Sequence, residues 1–124
     1  MSIRFDAFQW LDSNFRKIDG SVYTSKYYLP EESWPKKHVW WLKIPLRVIN
    51  KNENKFINLL CQVEPNKKEF YYLKVPTDYF EEHLKNFHIV NDIASLYLSA
   101  DLNNLFVEIR GKGNTAFAQF LVTP

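Results

Sequence analysis

One cysteine, one methionine and three glycines in 124 residues remove several possibilities at once. Cys61 cannot form an internal disulfide or a thiolate cluster, and within "INLLCQVE" it is expected to be buried as a small hydrophobe. The glycines leave no room for GxxxxGK[ST] or GxGxxG. The pair in "RGKGN", residues 110–114, is therefore read as a strand-exit turn in preference to a phosphate loop. Nowhere do 18 apolar residues run without charge, and "MSIRFDAFQWLDSNFRKID" has no continuous apolar segment, so neither a membrane span nor a signal peptide is supported. The expectation is a cytoplasmic protein without membrane contact. No Pro-, Gly- or Ser-rich stretch separates two cores, and residues 1–124 are read as one domain.

Signatures of catalysis are missing as well. There is no HExxH, no nuclease-like carboxylate–lysine strand pair and no nucleophile elbow. His83 and His88 are five apart, whereas ligands on one helical face need three or four, and His38 stands alone. Glu108 and Arg110 read as a solvated cross-strand ion pair. No catalytic residue, metal or cofactor is expected.

Aromatic residues, by contrast, are abundant: 10 Phe, 7 Tyr and 4 Trp make 17% of the chain, more than a small core requires. Some must lie near the surface. Charge is segregated too. Residues 36–74 hold nine Lys/Arg against three Glu, a surplus of six, although the whole chain carries only +2.

Residues 3–18 place Phe8, Leu11, Phe15 and Ile18 at three- and four-residue steps, which predicts a helix. The stretch from Gly20 to Lys37, with Pro30 and Pro35, is read as an ordered loop whose Tyr27, Tyr28 and Trp34 anchor it on the core or close a pocket. From His38 the period becomes two. Strands are predicted at "VWWLKIPLRV", "FINLLCQVE" and "EFYYLKVP", forming a meander, then a helix over "DYFEEHLKNF" with Asp78 and Glu81 in capping-box spacing. "IASLYLSADLNNLFVEIRG" reads as a hairpin, and the tail 111–124 as either a short helix or a final strand. The fold class that results is α+β: a mostly antiparallel five- or six-stranded sheet with an N-terminal helix and a second helix packed on one face, in the order α-β-β-β-α-β-β.

The hexapeptides "WWLKIP" and "YYLKVP" are read as two strand ends that happen to agree, because the residues beyond the two prolines have nothing in common. Their alternation sets Leu42 and Leu73 inward and Trp41, Lys43, Tyr72 and Lys74 outward. With Arg47, Tyr97, Phe106 and Arg110 these form a predicted aromatic and basic binding face. The expected function is a small non-catalytic binding or assembly protein, acting by homodimerisation or partner binding on that face. Single-stranded nucleic acid on the same face is one alternative. A small-molecule pocket under the 23–35 loop, in a binder or an enzyme, is the other.

Overall fold

The Ser2 hydroxyl accepts a hydrogen bond from the Phe5 amide (3.2 Å) and so starts helix α1, Ile3–Asn14, in a computed structural model that describes residues 2–124. The helix stops four residues earlier than the apolar spacing predicts. Phe15 is extended, and its ring reaches the edge of Tyr72 at 5.0 Å, so the apolar stripe continues without helical backbone. Gly20 then turns the chain at φ +94°, where a side chain would collide with the Phe56 carbonyl.

The strands are β1 (Ser21–Ser25), β2 (Tyr27–Tyr28), β3 (Val39–Pro45), β4 (Phe56–Gln62), β5 (Phe70–Pro76), β6 (His88–Val90), β7 (Ile93–Ser99) and β8 (Leu121–Val122), with helix α2 (Thr77–His83) after β5. They form two four-stranded sheets, β1-β4-β5-β8 and β2-β3-β7-β6. All neighbours are antiparallel except β1 and β4. The α+β class and the dominant antiparallel pairing agree with expectation, while the single sheet becomes two.

Three differences have local causes. The expected loop after Gly20 begins with β1 and β2, whose Val, Tyr and Thr residues favour extended backbone; only Lys26 separates them, so one stretch runs from the first sheet into the second. β3 does not join the meander. It pairs with β7, because residues 49–55 carry the chain across to the other sheet. β7 in turn forms its hairpin backward with β6 through Asn91-Asp92, both at positive φ (53° and 62°), the backbone a two-residue hairpin turn needs. Residues 105–110 add only two isolated antiparallel bridges, Leu98 to Glu108 and Val107 to Ala116, and flanking backbone bonds. In the tail no helix starts at Asn114; after a 3-10 turn at Ala118–Phe120 the chain ends in β8 on β5, the strand alternative. α2 starts directly after Pro76 without a side-chain cap, so the Asp78/Glu81 capping box does not form.

The β4–β5 register pairs Ile57 with Val75, Leu59 with Leu73 and Cys61 with Tyr71, which keeps both apolar sets on one side. That side meets Trp40, Leu42 and Ile44 of β3 and Leu96 and Leu98 of β7, so the sheets pack face to face around one core. Each buried Leu, Ile or Phe contributes about 1.5–3 kcal/mol. Phe80 of α2, Phe87 and Phe117 complete the core. α1 lies on the opposite side of the first sheet, with Ala7 and Leu11 against Leu60, Phe70 and Tyr72. The outer side of the second sheet is covered in part by Arg110 and the 29–37 loop, which leave Ser95 8% and Tyr97 5% exposed. Among the described residues, no helix is long and apolar enough to cross a membrane.

Candidate functional site

The two similar hexapeptides face each other across the core. Trp40 and Tyr71 pack edge to face at 5.9 Å, and each strand ends in a proline that leads into a helical turn, Leu46–Val48 in one case and α2 in the other. Because their inward residues meet, their outward residues point to opposite outsides of the molecule. The predicted composite face is therefore divided.

Tyr72 is 2% exposed beneath α1, where its hydroxyl donates to Asn58 Oδ1 at 2.6 Å. Lys74 lies half-buried on the first sheet with its ammonium 4.4 Å from the Phe56 ring centre. Phe106 is 1% exposed and stacks on Trp40 at 5.1 Å in the core, turned inward by backbone at φ 64°. Arg47 is exposed on the turn after β3, and Tyr27 packs toward the core against Trp40. None of these five belongs to the outer side of the second sheet.

Trp41, Lys43, Tyr97 and Arg110 do belong there, and the structure adds Tyr28 and Trp34 to them. Trp41 and Tyr97 are cross-strand partners with ring centres 5.8 Å apart, and Tyr28 lies 6.3 Å from Trp41. The Lys43 ammonium sits 4.2 Å above Trp41. Arg110 is held between two rings, 5.0 Å from Tyr97 and 5.7 Å from Trp34. Ser95 Oγ accepts from both Trp41 Nε1 (2.8 Å) and Arg110 Nη1 (3.1 Å).

Beneath this layer Glu108 is 1% exposed, not solvated as expected. Its carboxylate accepts from the Tyr97 amide at 2.8 Å, the Arg110 amide at 3.0 Å and the Gly111 amide at 2.7 Å, which fixes the backbone that carries Arg110. The same bonds occupy the "RGKGN" segment. The Gly111 amide is committed to Glu108 and the Lys112 amide to Asn86 O, so neither is available to a phosphate.

Trp34 is 77% exposed on a loop with internal order. Ser33 Oγ bonds the Lys37 carbonyl and amide (2.7 and 3.0 Å), while Glu32 accepts from the Leu29 amide (3.0 Å) and from Lys26 Nζ (2.9 Å). Those two bonds, the backbone one first, hold the Glu32 carboxyl below the usual carboxylate range. Between this loop and the sheet is a cleft of about 330 Å³ reaching Tyr28, Trp41 and Arg110. A second hollow of about 270 Å³, with Lys43 and His88, lies beyond the Trp41–Ser95–Arg110 ridge. Lys26 and His88 are members of this surface that periodicity did not indicate. β-formers around Lys26 and the Asn91-Asp92 turn after His88 were the available signals.

The arrangement has the chemistry of contact more than of reaction. His88 opposes Ser95 in the strand register, but Ser95 Oγ is engaged by Trp41 and Arg110. Among the described residues no three His, Cys, Asp or Glu side chains gather as metal ligands would. Comparison with known proteins finds no matching family model and no significantly similar curated protein or solved structure.

Proposed function

We propose that the protein is a non-catalytic binding module that holds an anionic partner on the outer side of its second sheet. The observation that carries this reading is Arg110, positioned by Ser95 and Glu108 between Tyr97 and Trp34, with Lys43 on the same surface. Cations over aromatic rings, with Lys43 exposed on this surface and Trp34 exposed beside it, offer charge and flat apolar area together. A two-fold dimer through this surface would set the basic patch against itself, which like-charge repulsion disfavours. An anion is attracted by both cations, and the Glu32 carboxylate lining the cleft is paired with Lys26.

The test is titration with inorganic polyphosphate at low salt, followed by backbone amide shifts. Shifts confined to β2, β3, β7, β6 and the 29–37 loop, weakening as salt rises and lost in Lys43→Glu with Arg110→Gln, support the reading. Shifts confined to the α1 side, or none, overturn it. So does concentration-dependent dimerisation that buries the same surface.

A further inference from the structure

Resting on that reading, we infer that the anionic partner is single-stranded nucleic acid, with a base stacked on Trp34 at the cleft and phosphates drawn to Arg110 and Lys43. Three features converge on this class.

Exposure comes first. Trp34 is 77% exposed, although a tryptophan loses most when left in water. Its loop is ordered by the Ser33 and Glu32 bonds, so the ring is presented, not merely loose. Arg110 lies toward the Trp34 ring at 5.7 Å, leaving most of the indole uncovered for a second planar group. Every nucleobase has such a face, and stacking requires no particular sequence.

Spacing comes second. The cleft beside Trp34 and the hollow beside His88 lie on either side of the ridge formed by Trp41, Ser95 and Arg110. Two hollows with a cation between them match a chain in which bases alternate with charged linkers. Arg110 Nη1 is tied to Ser95 by one bond, which leaves further guanidinium N–H groups to meet a phosphate.

Charge balance comes third. Lys43 is exposed, and the two carboxylates met on this side, Glu32 lining the cleft and Glu108 beneath it, are already committed. Glu32 is paired with Lys26 at 2.9 Å, and Glu108 is buried under three amides. The surface is thus left with unspent positive charge beside apolar rings. A duplex hides its bases and would offer only phosphate, making no use of Trp34.

The experiment compares four ligands at one salt concentration by tryptophan fluorescence and anisotropy: a ten-residue oligo(dT) or oligo(U), a hairpin duplex, inorganic polyphosphate of equal charge and a mononucleotide. The native chain and Trp34→Ala are both titrated, with circular dichroism to verify folding. Single strands should quench fluorescence and bind at least tenfold tighter than polyphosphate, and Trp34→Ala should lose about ten- to a hundredfold for single strands alone. Trp34→Phe should recover part of that loss. Single strands no tighter than polyphosphate, or unaffected by Trp34→Ala, overturn the inference while leaving the basic surface intact. Equal binding of the duplex or the mononucleotide also overturns it. If no polyanion binds, the proposed function fails with it.

Discussion

Trp40 and Trp41 are neighbours in the chain, yet their indoles end on opposite sides of the second sheet. Trp40 Nε1 donates to the Gln62 carbonyl at 2.7 Å inside the core, and Trp41 Nε1 donates to Ser95 Oγ at 2.8 Å on the outside. One ring joins the sheets and the other helps form the candidate site. Their substitution should separate stability from binding.

Trp40→Phe should destabilise the fold by about 1–3 kcal/mol, because the Gln62 carbonyl loses a buried donor and part of the stacking on Phe106 goes with it. Trp41→Phe should cost less and weaken polyanion binding. Urea unfolding of both variants checks the order; equal losses would show that the outer ring is part of the core in energetic terms.

Glu108→Ala should cost about 3 kcal/mol or more, since three amide N–H groups lose their acceptor together. Arg110 would lose its support at the same time. Denaturation together with hydrogen exchange at Tyr97, Arg110 and Gly111 measures this. An unchanged midpoint would mean that water replaces the carboxylate.

Acid should loosen the Trp34 loop. Glu32 titrates below the usual carboxylate range because the Leu29 amide and Lys26 favour its charged form. Its contribution is complete above the ordinary carboxylate value and disappears as pH falls through the lowered one. Trp34 emission should therefore change in that acidic window, and Glu32→Gln should remove the change. A transition that persists in Glu32→Gln would assign it to another group.

Alkali should act in the opposite direction on the core. Burial raises the Cys61 thiol, and burial followed by the charge of Asp19 raises the Tyr72 phenol. Both contribute fully below their ordinary values, and that stability is lost as pH climbs through the raised ones. Stability should decline above the ordinary thiol and phenol range, less so in Tyr72→Phe. Cys61 should react with a thiol reagent only as fast as the protein opens. Rapid labelling under native conditions would contradict its burial.

Gly111→Ala should misplace the Arg110 backbone, because the new methyl collides with the Asn86 carbonyl. Loss of stability and of polyanion binding should appear together. Retention of both would mean that the segment moves aside without consequence.

Periodicity alone identified α1, β3, β4, β5, β7 and α2; β4 and β7 are buried on both sides, and there the apolar spacing records only which side meets the other sheet. It also set Trp41, Lys43 and Tyr97 outward on their own strands, whereas Arg110, set outward together with Phe106 and Glu108, lies outside any strand and those two are buried. What local order could not express is which outward sides coincide. Two strands with the same alternation can lie side by side, sharing a face, or pack front to front, pointing their outer residues apart, and their local patterns are identical in both cases. Only the pairing of β3 with β7 and the packing of Trp40 on Tyr71 decided between them. That choice placed Tyr72 under α1, turned Phe106 into the core and brought the distant Trp34 to Arg110, because burying two apolar faces against each other removes more surface from water than leaving one sheet open.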